Sequence, residues 1–88
     1  MWVRFFGSSN CKDCLELFVL LNKYQIDYEY IDAMEDDEET QKFCDKHDVD
    51  ELPHIQILDE NDNIIITHVG SISEEDFNIY LIDYFSEG

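Results

Sequence analysis

Ser8-Ser9-Asn10-Cys11-Lys12-Asp13-Cys14-Leu15-Glu16-Leu17-Phe18 is the stretch on which the reading of this chain turns. The block before it, Trp2-Val3-Arg4-Phe5-Phe6-Gly7, is aromatic and β-branched, and residues 2–6 read as a buried strand. Ser8 to Asn10 are polar turn residues that end the strand and prepare a helix. Residues 12–24 then carry a helical apolar pattern. A C-x-x-C at such a junction reads as a redox pair more readily than as a structural bridge. Cys11 falls at the N-terminal end of the helix, where unpaired N–H groups and the helix dipole favour negative charge. That favours the thiolate, the reactive form of cysteine. Cys14 follows one turn later on the same side, within reach of a disulfide.

Within the helix, Cys14, Leu17, Phe18 and Leu21 share a face that Leu15 and Val19 widen, so it is expected to be well buried. Tyr28-Glu29-Tyr30-Ile31 reads as the second strand. Residues 2–31 thus form a β-α-β crossover, right-handed if the strands are parallel. The acidic run Glu35-Asp36-Asp37-Glu38-Glu39 reads as the first turn of a second helix reaching about His47. Thr40, Phe43, Cys44 and His47 lie at helical spacing, which turns Cys44 toward the sheet. Asp48 to Leu52 lead to Pro53, the sole proline. His54–Leu58 is a third strand, Asp59–Asn63 a polar hairpin loop and Ile64–Val69 a fourth strand antiparallel to the third. Gly70 breaks that strand. Ser73 caps a last helix, with Asp76 at its third position and a stripe of Phe77, Tyr80, Leu81, Tyr84 and Phe85. The order is β-α-β-α-β-β-α. With no repeat or low-complexity linker, residues 1–88 read as one domain.

Composition excludes several classes of function. A hydrophobic fraction of 44% supplies a globular core and argues against disorder. Net charge is −17, from 22 acids against five bases, so nucleic acid and anionic membranes are poor partners. An acidic surface suits basic or neutral protein partners and keeps a monomer soluble. The first residues run straight into a strand with no apolar leader, and no run approaches transmembrane length. Three cysteines, an odd number, do not suit a secreted disulfide framework, and the expected compartment is the cytoplasm.

Cys11-Lys12-Asp13-Cys14 after the first strand, Leu52-Pro53 before the third and Gly70 after the fourth resemble the thioredoxin-like superfamily over nearly the whole chain. By compactness the chain resembles the glutaredoxin branch. The resemblance implies an α/β fold of glutaredoxin type, a four-stranded mixed sheet with helices on both faces. It implies a thiol–disulfide oxidoreductase without a cofactor, acting on disulfide-containing proteins and reduced by a thioredoxin reductase or glutathione. It makes Cys11 and Cys14 catalytic, and places Lys12, Leu52, Pro53, His54 and Gly70 at the substrate. Pro53 would be cis and face the cysteines, and the main chain of Leu52 would pair with a substrate strand. Asn10, Lys12 and Asp13 depart from the Trp-Cys-Gly-Pro-Cys of thioredoxins, and Phe5 stands near the place of their buried acid. Gly70-Ser71-Ile72-Ser73 replaces the Gly-Gly-x-Asp segment that holds glutathione in glutaredoxins. The pattern is similar to small glutaredoxin-like proteins that behave as thioredoxins, some of which supply electrons to ribonucleotide reductase.

Two further readings belong to other classes. Cys11, Cys14, Cys44 and His47 could supply four zinc ligands, but in the resembled fold the middle helix lies across the sheet from the first. The acidic surface could instead serve a docking protein with incidental redox ability. His54, just after Pro53, is a candidate proton relay or substrate contact, with an ordinary strand histidine as the alternative. His68 suggests no role.

Overall fold

A computed structural model describes residues 1–85 of the chain. Its elements are β1 (Trp2–Gly7), α1 (Lys12–Lys23), β2 (Tyr28–Asp32), α2 (Glu38–Lys46), β3 (His54–Leu58), β4 (Ile64–Val69) and α3 (Glu74–Tyr80). The last helix continues as a wider π-helical turn over Leu81–Phe85. The four strands form one mixed sheet in the order β2-β1-β3-β4. β1 runs parallel to β2, with Phe5 opposite Tyr30, and antiparallel to β3, with Phe5 opposite Ile55. β4 closes the far edge as a hairpin with β3. This is the architecture expected from the sequence.

Strand periodicity divides the sheet into two faces. Val3, Phe5, Ile55 and Ile57 point to one side, into a cluster with Cys14, Leu17, Leu20 and Leu21 of α1, Ile72, and Phe77 of α3. Each fully buried aliphatic or aromatic side chain there contributes roughly 1.5–3 kcal/mol. Phe5 anchors the cluster, its ring 4.9 Å from Phe18 and 5.2 Å from Tyr30. The alternate residues Arg4, Phe6, His54 and Gln56 face α2. Phe6 packs against Phe43, His47 and His54. The Arg4 guanidinium lies 5.2 Å from the Trp2 ring and 5.0 Å from the Phe43 ring, and donates to Gln56 Oε1 at 3.2 Å.

Helix ends follow local chemistry. Cys11 itself is the N-cap of α1, Asp37 of α2 and Ser73 of α3, each accepting from the N–H three residues on. The first two helices close without glycine. Gln25 and Asp48 both take φ 55, and Ile26 N–H and Val49 N–H reach back to Leu21 and Cys44 carbonyls. In the hairpin loop, Asp59 Oδ1 accepts from the N–H groups of Asn61 and Asn63, and these bonds hold its carboxyl below the usual range.

Three expectations need correction. Leu15 and Val19 are 53% and 65% exposed rather than part of the buried face, because α1 turns Cys14, Leu17, Leu20 and Leu21, with Phe18 beside them, to the sheet. The acidic run does not open α2 as a whole. Asp37 is the cap, so Glu35 and Asp36 precede the helix, in a loop held by Gln41 Nε2 to the carbonyls of Ala33 and Glu35. Beyond Phe77, the stripe of the last helix is only half-buried.

Cys44 is a free thiol, buried under α2, with its pKa raised by burial and by Asp45. It packs as a small hydrophobe. Cys44→Ala is expected to leave intact the disulfide reduction that the resemblance implies for Cys11 and Cys14, and to cost about 1 kcal/mol through the small cavity. Thermal unfolding and a turnover assay check this, and a well-folded Cys44→Ala protein without turnover would contradict it.

Candidate active site

The end of β1 and the start of α1 build the site. Ser8 is buried, and its carbonyl accepts from the Cys11 N–H at 3.2 Å, which turns the chain sharply into the helix. Cys11 sits in extended conformation at φ −92 and ψ 112, with its carbonyl accepting from Leu15 N–H at 3.2 Å. Its Sγ accepts from the Cys14 N–H at 3.2 Å. A sulfur in this position receives one of the otherwise unpaired donors of the helix and the positive end of its dipole. Cys11 and Cys14 form a disulfide with their Cα atoms 5.2 Å apart. The two sulfurs differ in access. Cys11 is partly exposed at the rim of the core, whereas Cys14 is 0% exposed within it.

Gly7 sets the depth of Cys14. A Cβ on Gly7 would fall 2.9 Å from Cys14 Sγ and 2.7 Å from Phe5 Cε1, so only glycine leaves room for both. Nothing in the strand pattern distinguished this glycine. Its place directly before the cysteine loop was the available clue.

Pro53 is fully buried and follows Leu52 through a cis bond. Its carbonyl accepts from the Gly70 N–H at 2.8 Å, which joins the start of β3 to the loop after β4. Gly70 holds φ 95, a conformation that side chains disfavour. Leu52 packs against the same cluster as Cys11 and Cys14. No hydrogen bond among the described residues engages its N–H or C=O. Lys12 is exposed beside Cys11 and forms no ion pair among the described residues. Leu52, Pro53 and Gly70 therefore share one locality, while Lys12 stands on the helix rim.

His54 does not join them. It is only 4% exposed and lies on the α2 face against Phe6, with Gln56 Nε2 at 3.5 Å from its Nε2 and at 3.2 Å from His47 Nδ1. The strand period that sends Ile55 toward Cys14 sends His54 the other way, which removes the relay or substrate-contact role expected of it. The same division removes the four-ligand zinc arrangement. Cys44 and His47 pack under α2 while Cys14 belongs to the opposite core, and no metal-holding cluster occurs among the described residues. His68, to which the sequence suggested no role, is a tie. Tyr80 Oη lies 3.0 Å from its Nδ1, and its Nε2 lies 3.1 Å from the Ser71 carbonyl, which links the Gly70 loop to α3.

Burial pushes the pKa of both His47 and His54 down, with Arg4 adding to the effect on His47 and His47 adding to it on His54. The unfolded chain takes up these protons near pH 6.5 while the folded chain resists them. The stability that comes from keeping both rings neutral is thus full above that pH and is lost as pH falls through the folded values. His54→Asn is expected to flatten the loss of stability below about pH 6.5 relative to the parent. Denaturant titrations of both proteins across that range test it, and identical pH slopes would contradict it.

No family model matches the sequence, and no curated protein matches it. Solved structures do. Thioredoxin 1 from the thermophilic eubacterium Thermosipho africanus TCF52B superposes with a TM-score of 0.73 at 20% identity, over 97% of this chain and 94% of that one. Thioredoxin O2 from Arabidopsis thaliana, in its oxidized state, gives 0.76 at 17% identity, over 96% of this chain and 74% of that one. A malarial protein gives 0.73 at 18% identity, over 96% of each chain. This agreement in shape shows that the chain has the thioredoxin-like fold.

Proposed function

We propose that the chain is a thiol–disulfide oxidoreductase that reduces disulfides in other proteins. The observation that carries this reading is the unequal access of two bonded sulfurs, Cys11 at the surface and Cys14 buried behind it. In the reduced chain the Cys11 thiolate attacks one sulfur of a substrate disulfide. That S–S bond breaks, a mixed disulfide forms and the departing thiolate takes up a proton. Cys14 then loses its proton and attacks Cys11 Sγ. The Cys11–Cys14 disulfide closes, and the second substrate thiol leaves. Two electrons pass to the substrate, and a thioredoxin reductase or glutathione returns two. Leu52, with unengaged main-chain groups beside buried Pro53 and Gly70, fits the role of pairing with an extended substrate segment. Lys12 would meet the substrate at the helix rim. We place the protein in the cytoplasm, as a monomer, where reductants keep such a dithiol reduced.

The same reading favours protein disulfides over glutathione mixed disulfides. Glutathione is anionic at neutral pH and is repelled at long range by a chain of net charge −17. Ser71, Ile72 and Ser73 supply no acid of the kind that clamps glutathione in glutaredoxins. Paired assays test this, one with a reductase and a protein disulfide, the other with glutathione and a small mixed disulfide. Faster turnover is expected in the first, and efficient glutathione-dependent turnover would contradict the preference.

A further inference from the structure

Leu15 and Val19 stand one turn apart on the outer face of α1, just beyond Cys14, and are 53% and 65% exposed among the described residues. Beside them runs a groove of about 280 Å³ lined by Glu16, Val19, Leu20, Ile72, Ser73 and Glu74. Leu20 and Ile72 form its apolar floor and belong to the same core cluster as Cys14. Its rim is acidic. Glu16 flanks it on α1, and Glu74 opens α3, whose first turn also carries Glu75 and Asp76. Lys23 pairs with Glu74, so one rim charge is already balanced.

We propose that this groove docks a basic segment of the disulfide-bearing protein partner, an aliphatic side chain seated on Leu20 and Ile72 with lysine or arginine beside it. The proposal rests on the disulfide-reduction reading and names the class of protein that this reading serves. Charge decides the occupant. A second copy of this chain would bring another acidic rim and another −17 against the first, whereas a cationic segment is drawn to the rim and seated by apolar contact. The groove runs along the helix that carries the redox pair, from Glu16, two residues past Cys14, so a segment anchored here would bring its disulfide toward that end of α1. It lies between α1 and the start of α3 and does not include Leu52 or Pro53 in its lining, so it would act in addition to main-chain pairing there.

Two synthetic peptides provide the test. Each carries one disulfide and the same leucine, flanked in one by lysine and in the other by glutamate. The parent is expected to reduce the lysine peptide with kcat/KM about tenfold higher at low salt, with the gap narrowing at high salt. Leu15→Ser/Val19→Ser and, separately, Glu16→Lys are expected to erase most of that preference, while all three proteins reduce hydroxyethyl disulfide, small and uncharged, at one rate. A preference that survives in both variants would overturn the proposal, because overall charge and not the groove would then explain it. A parent dimer in sedimentation that Leu15→Ser/Val19→Ser dissociates would also overturn it in favour of a second copy. A chemistry-free arm separates docking from catalysis. The lysine peptide with serines for its cysteines should shift the NMR methyl signals of Leu15, Val19 and Ile72. Shifts without any disulfide reduction would remove the oxidoreductase reading and leave the docking site, and turnover without shifts would do the reverse.

Discussion

Cys11→Ser is expected to lower disulfide reduction to background, a loss of at least roughly a thousandfold, in a protein that still folds. Cys11 is the only sulfur of the pair at the surface, and it caps α1, so the substitution removes the proposed nucleophile while serine can keep the capping bond to the Cys14 N–H. Cys14→Ser is expected to behave differently. Cys11 can still attack, but nothing then resolves the mixed disulfide, so substrate accumulates covalently on the protein. Non-reducing mass spectrometry distinguishes the two outcomes. Turnover by Cys11→Ser, or a covalent adduct on Cys14 in that variant, would contradict the assignment. In the native reduced protein, alkylation should also mark Cys11 first, since Cys14 and Cys44 are both buried.

Gly7→Ala carries the second large effect. Its methyl would fall 2.9 Å from Cys14 Sγ and 2.7 Å from the Phe5 ring. The ring has nowhere to go, being fully buried and held between Phe18 and Tyr30. Strain must therefore pass to Cys14 or to the strand. Overpacking of this kind costs about 1–3 kcal/mol. For a domain of this size that is a fall in Tm of about 4 °C or more. Because the displaced group is the thiol proposed to resolve the mixed disulfide, its release should slow as well. Thermal unfolding with stopped-flow release of substrate thiol reports both, and parent-like values for the two would contradict the account of the site.

The strands were legible in the sequence because β1 is aromatic or β-branched apart from Arg4 and Gly7 and β3 sets Ile55 and Ile57 on either side of Gln56, and the hairpin because five polar residues separate β3 from β4. The cysteine pair was legible for the same reason, since the strand-to-helix switch around it is sharp. The exposure of Leu15 and Val19 was not. Helical spacing says which residues share a face but not how wide a face the neighbouring sheet and α3 will cover. The ends of the first two helices near residues 24 and 47 were legible from where the apolar spacing stops, but the left-handed turns at Gln25 and Asp48 were not, because those positions carry neither glycine nor asparagine. The side of the sheet on which His54 falls depends on register, and a one-residue shift would exchange it with Ile55. Gly7 and His68 act through contacts with Cys14, Phe5, Ser71 and Tyr80 that only the folded chain brings together.

In the proposed reaction Cys11 and Cys14 deliver two electrons to a protein disulfide. The most direct measurement mixes the reduced chain with insulin, quenches with acid and maps every cysteine by mass spectrometry. The expected products are a Cys11–Cys14 disulfide in the chain, Cys44 still a free thiol, and two insulin thiols released for each chain oxidised. A chain that stays reduced beside intact insulin, or that oxidises at Cys44 instead, would contradict it.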